Sequence, residues 1–97
     1  MTIDANNDTI AMPSIEKIVL RMRDSPSGVR FAEFKKVCDH YFGAARQGGT
    51  SHLVYKMPWP GDPRVNIQNV GGRAKPYQVR QVLLAIDRLN LQTRERR

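Results

Sequence analysis

The sequence predicts an α+β domain: a three-stranded antiparallel sheet with its main helices on one face and an extra N-terminal helix. Three observations carry that prediction. Apolar residues recur at helical spacing before Gly43, alternate with period two over Ser51–Met57 and Arg64–Val70, and return to helical spacing after Pro76. The 97 residues are 40% apolar, enough for one small core in a single domain. A two-domain enzyme with its own cofactor module is excluded by size.

The elements follow in order. Residues 1–12 read as a disordered polar tail, residues 13–91 as the domain, and residues 92–97 as a basic, fraying end. Pro13-Ser14 opens a stretch with Ile15, Ile18, Val19 and Met22 at the i, i+3, i+4, i+7 positions of an amphipathic helix. Asp24-Ser25-Pro26-Ser27-Gly28 breaks it. A second helix is expected from about Arg30 to Phe42, with Phe31, Phe34, Cys38 and Tyr41 on one face. Val37 and Phe42 widen that face, and Gly43 is its stop.

The period then changes. Ala44 to Gly48 is a short candidate strand, and Gly48-Gly49-Thr50 a turn. Between Ser51 and Met57, Leu53, Tyr55 and Met57 face one way and His52, Val54 and Lys56 the other. Pro58 to Pro63 is a loop, because its prolines cannot donate to a ladder. Arg64 to Val70 alternates again, with Val65 and Ile67 opposite Asn66 and Gln68. Gly71-Gly72 turns the chain. Lys75-Pro76 starts the last helix, where proline suits the first position. Val79, Val82, Leu83, Ile86 and Leu89 form its buried stripe.

Charge gives the first functional direction. Sixteen Lys+Arg against nine Asp+Glu give +7. Residues 1–48 hold seven basic and six acidic side chains, residues 49–97 nine and three, so the excess sits in the second half. Such a balance points to a polyanion, most simply nucleic acid. No run approaches the ~20 apolar residues of a membrane span. The first residues lack the pattern of a signal peptide. The lone Cys38 leaves no internal disulfide, which fits a cytoplasmic protein. Two histidines and one cysteine are too few soft ligands for a closed zinc site, and no cofactor is expected.

Packing the helices on the Leu53, Tyr55, Met57, Val65 and Ile67 face leaves a polar face of His52, Lys56, Asn66 and Gln68, joined by Arg46 or Gln47. His52 follows a Gly-Gly-Thr-Ser turn at the start of a strand. Imidazole, with an unperturbed pKa of ~6.5, suits proton transfer near neutrality. It can take the proton of an RNA 2′-hydroxyl, with Lys56 countering charge on the phosphate. The plainer alternative is a surface histidine. A Cys38/His40 dyad is discounted, since positions i and i+2 diverge on a helix. Arg73 and Lys75 in Gly71-Gly72-Arg73-Ala74-Lys75-Pro76 look like a phosphate clamp at a helix N-terminus. The segment lacks the ending of a Walker loop. Trp59 either meets a base or a partner's pocket, or folds back over the core edge.

Three stretches in order, FAEFKKVCDHYFG, QGGTSHLVYKMP and VNIQNVGGRAKPYQVRQVL, together resemble the HicA family of toxins. These are small RNA-cleaving proteins with a double-stranded-RNA-binding-like fold. The resemblance covers about Gly28 to Leu89. It implies a toxin ribonuclease that cleaves mRNA without a metal, neutralised by a HicB-type antitoxin. By position it makes His52 the catalytic histidine and matches Gly49 to the family's glycine. Thr50 and Ser51 stand where the family has serine and its neighbour. The Pro58–Pro63 loop and the Ile15–Met22 helix are additions to compact members. RNA contacts are then expected from Arg46, Gly49, Ser51, Lys56, Asn66, Gln68, Arg73 and Lys75. Trp59 is the expected partner anchor. A non-catalytic RNA-binding module, or a pure interaction protein for an acidic partner, would use the same basic surface.

Overall fold

A computed structural model describes residues 14–45, 47–48, 52–61 and 63–95. The expected tail and three expected RNA contacts, Arg46, Gly49 and Ser51, lie outside the described residues. Helix α1 spans Ile15–Asp24 and begins where Ser14 Oγ accepts the Lys17 N–H at 3.3 Å. Ile18, Val19 and Met22 are its buried side chains, as the helical spacing requires. A 3₁₀ turn at Pro26–Gly28 leads to helix α2, Phe31–Phe42. Phe31, Phe34, Val37 and Cys38 are buried along α2, while Tyr41 and Phe42 pack half-buried at the core margin. Gly43 ends α2 with φ 81°, a conformation that a side chain would strain.

Strands β1 (Gln47–Gly48), β2 (His52–Lys56) and β3 (Arg64–Val70) form the expected antiparallel sheet. The first strand is shorter than Ala44–Gly48. His52 pairs with Gln68, Val54 with Asn66 and Lys56 with Arg64. A two-residue strand β4, Arg73–Ala74, extends the sheet beyond β3, with Val70 opposite Arg73. Both residues of the connecting turn, Gly71 and Gly72, have positive φ, 61° and 87°. Two left-handed residues between two strands make the turn that matches strand twist, and glycine occupies them without a Cβ penalty. Asn69 Oδ1 accepts the Gly72 N–H at 2.6 Å and fixes the same turn.

Helix α3 runs Pro76–Glu95, so the chain stays helical through most of the segment expected to fray. Lys75 caps it through its carbonyl, which accepts from Gln78 N–H at 3.0 Å and Val79 N–H at 3.1 Å. Among the described residues no helix is long and apolar enough to cross a membrane.

The core lies between the helices and one sheet face. Leu53, Tyr55, Met57, Val65 and Ile67 are buried together with Phe34, Val37, Val79, Val82 and Ile86. His52, Lys56, Arg64 and Asn66, which alternate with them, are exposed. Tyr55 is fully buried and donates its hydroxyl to Asp39 Oδ1 at 2.6 Å, which ties β2 to α2. Burial, then that hydrogen bond, holds the Tyr55 hydroxyl well above its usual pKa. Burial likewise pushes the Cys38 thiol up, so Cys38 behaves as a small apolar residue. On the surface, Arg23 reaches Asp87 at 2.7 Å and Arg21 meets Glu33. Such exposed pairs are worth only about 0.2–1 kcal/mol each.

Candidate nucleic-acid interface

The sheet face turned away from the helices carries the candidate residues. Strand alternation puts His52, Val54 and Lys56 on it from β2, and Arg64, Asn66, Gln68 and Val70 from β3. Pairing with Val70 adds Arg73. These strand positions include no carboxylate. His52 stands exposed at the first residue of β2, with Gln68 as its cross-strand partner. It is therefore accessible to a large substrate, with an amide beside it.

Gln68 itself is committed to the fold. Its N–H donates to Gln78 Oε1 at 2.8 Å, and its Oε1 accepts from Gln78 Nε2 at 3.2 Å. Val70 and Arg73 flank a two-residue turn, so they exchange hydrogen bonds as a close pair. Period two then aims the Gln68 N–H at the same edge, where β4 has already ended at Ala74. The Gln78 side chain, only 2% exposed, supplies the acceptor a longer β4 would have given. Gln68 thus orients the His52 end of the sheet more than it offers free polar atoms.

Lys56 is four residues from His52 along β2, a separation of about 13 Å. It sits opposite Arg64, so Lys56 and Arg64 form a cationic pair at the far end of the strand from His52. Asn66 lies exposed between the two ends. Arg64 was readable from the sequence, since it shares its parity with Asn66.

The expected Arg73/Lys75 clamp is rearranged. Arg73 lies in β4, ahead of the helix, while Lys75 is the capping residue with its ammonium 5.8 Å from the Tyr77 ring centroid. Tyr77 is 53% exposed, an aromatic surface on which a base could stack. Arg73 meets a residue the sequence did not single out. Arg30 forms an isolated antiparallel bridge with it, and both side chains are exposed. Nothing in the local pattern around Arg30 announces a contact 43 residues away.

Trp59 takes the second of its two expected positions. It packs half-buried against the core, and the Arg88 guanidinium lies 4.4 Å from its ring centroid. The loop walls a surface cavity of about 560 Å³ lined by Phe42, Lys56, Met57, Pro58, Trp59 and Pro60. His40 is exposed, edge-on to Tyr41 at 4.9 Å. Among the described residues no three His, Cys, Asp or Glu side chains converge closely enough to hold a metal ion.

Comparison with known proteins finds no matching family model, no similar curated protein and no similar solved structure.

Proposed function

We propose that this protein is an RNA-cleaving toxin of the HicA type, with a double-stranded-RNA-binding-like arrangement of sheet and helices. Single-stranded mRNA lies across the open sheet face. The observation that carries the reading is His52: an accessible imidazole on a face with cationic residues toward both ends, Lys56 and Arg64 at one and Arg73 at the other. In the proposed reaction the His52 imidazole takes the proton of a 2′-hydroxyl. That oxygen attacks the adjacent phosphorus and forms the fifth bond. The 5′-oxygen of the next nucleotide then leaves with the bonding pair and takes a proton from solvent water, while the His52 imidazolium returns its proton to solvent. The chemistry needs no cofactor. Cations of the face hold the phosphates to either side and raise the local RNA concentration. A cytoplasmic ribonuclease of this kind requires restraint, and the natural agent is a small acidic antitoxin of HicB type covering the His52 face.

The test is His52→Ala. General acid–base groups commonly contribute ~10²–10⁴-fold. Cleavage of single-stranded RNA should fall by that factor, with an unchanged circular dichroism spectrum and unchanged RNA affinity. His40→Ala should stay near wild type. Full activity in folded His52→Ala protein sinks the ribonuclease reading. RNA binding without any cleavage by the wild-type protein favours the binding-module reading.

A further inference from the structure

We infer that Arg30 and Arg73 together form a clamp for one phosphodiester of a single-stranded RNA, distinct from the phosphate at His52. The inference rests on the RNA reading of the open face and adds a residue and a geometry to it.

The geometry begins with two hydrogen bonds. Phe31 N–H donates to the Gly72 carbonyl, and Ala74 N–H donates to the Val29 carbonyl, each at 2.9 Å. They bracket the Arg30–Arg73 bridge, so the two arginines form a non-hydrogen-bonded antiparallel pair. In such a pair the Cα atoms stand about 4.5 Å apart and the side chains leave the same face close together. The backbone is held on both sides. Arg30 is the residue before α2, and Arg73 sits between the Gly71-Gly72 turn and α3.

Two like charges directly opposite one another destabilise a sheet. Three other arginines are relieved: Arg21 meets Glu33, Arg23 meets Asp87, and Arg88 lies on Trp59. Among the described residues, neither the Arg30 guanidinium nor the Arg73 guanidinium has a hydrogen-bond or ion-pair partner. Arg30 lines one cleft together with Asp24 and Glu33, but Glu33 is taken by Arg21 and neither carboxylate pairs with Arg30. Two guanidiniums without a partner, on backbones fixed side by side, can together present parallel N–H forks, the donor pattern that matches a phosphate. An anion between them replaces repulsion with two charge-assisted contacts.

The occupant is a backbone phosphate of RNA. Arg73 is two strands from His52, a lateral separation of about 10 Å, so one extended strand can touch both. Val70, 56% exposed between them, gives that path an apolar floor on which a base or sugar can rest.

The experiment uses the full chain carrying His52→Ala, so that RNA is not consumed, with a short polyuridine RNA as probe. Arg30→Gln and Arg73→Gln should each weaken binding about tenfold at low salt. Each should also reduce the slope of log affinity against log salt by about 0.7. The double variant should fall well short of the product of the two, because both grip one phosphate. In low salt without anion, each single variant should melt no lower than the parent, and inorganic phosphate should stabilise the parent more than either variant. Unchanged RNA affinity in Arg30→Gln overturns the clamp even if Arg73→Gln weakens binding. Full additivity overturns it too, by assigning the arginines to separate phosphates. With polyglutamate as a second probe, loss of its binding while RNA binding stays intact would overturn the clamp and give the surface to an acidic protein instead. If the clamp fails while wild-type cleavage still depends on His52, the ribonuclease reading stands without it.

Discussion

The two cationic pairs on the open face, Lys56/Arg64 and Arg30/Arg73, are built in opposite ways. Lys56 and Arg64 face each other across one hairpin, eight residues apart, and strand alternation alone puts them together. Arg30 and Arg73 meet because the segment before α2 lies along β4, which requires α1, α2 and the whole sheet to be in place. Loss of global packing therefore disperses the second pair but can leave the first. Their supports differ as well. The Lys56 end rests on the Tyr55–Asp39 bond and the half-buried Trp59 loop, the Arg73 end on the Gly71-Gly72 turn and the buried Gln78 amide.

The largest stability effect that separates these supports is expected at Gln78. Gln78→Leu keeps the volume but leaves the Gln68 N–H without its acceptor. An unsatisfied buried donor costs about 1–3 kcal/mol. Chemical denaturation should show that loss, and hydrogen exchange should show faster opening at Gln68 and at β4 than at β2. A variant as stable as wild type would mean that β4 holds its position without the helix.

At the other end, Trp59→Ala should cost less, about 1–2 kcal/mol, because the ring is only partly buried and stacked on a surface arginine. The loss should be mirrored in part by Arg88→Ala and should not alter RNA affinity. If Trp59→Ala destroys partner or RNA binding while stability stays fixed, the ring leaves the core edge to make that contact.

The same contrast explains what the sequence could disclose. Period-two alternation placed Leu53, Tyr55, Met57, Val65 and Ile67 in the core and His52, Lys56 and Asn66 outside, because each strand has one covered face. Alternation specifies a face but not a distance along it, and so it grouped Lys56 with His52. Helical spacing found the buried stripe Val79, Val82, Leu83 and Ile86 and extended it to Leu89, which is only half-buried, but it did not find Gln78, a buried polar residue whose partner is a strand N–H. The tandem glycines announced a turn. They did not announce that Arg73 would pair on the far side of it, because two residues of strand carry almost no periodic signal. Arg30 was invisible for the same reason: its neighbour is set by tertiary packing.

A smaller effect separates the ends by pH. Cys38 and Tyr55 both have raised pKa values in the fold, caused first by burial. The neutral forms are favoured in the folded state, so their contribution is fully present below the unfolded values, about 8.5 for Cys and 10 for Tyr. It is lost as pH rises beyond those values, since the unfolded chain ionises first. The urea midpoint should therefore fall from pH 8.5 upward. Tyr55→Phe should lower stability at pH 7 but flatten the fall above pH 10. An equally steep fall in that variant would assign the alkaline sensitivity to other groups.

The smallest expected effect is at Lys56. In water its ammonium is a mobile point charge on a flexible stem, whereas an arginine presents a planar fork of donors. Lys56 also lies about 13 Å along the strand from His52, which in the proposed binding mode puts it over a different phosphate from the one undergoing reaction. Lys56→Gln should thus weaken RNA binding two- to threefold, roughly the value of one exposed charge pair. It should reduce the salt slope by about 0.7. The cleavage rate at saturating RNA should stay unchanged, because the interaction is equal in the bound and transition states. His52→Ala should show the converse pattern, with binding kept and turnover lost. A fall in saturated turnover for Lys56→Gln as deep as that of His52→Ala would bring Lys56 to the reacting phosphate. The RNA would then have to run along β2 instead of across the sheet toward Arg73.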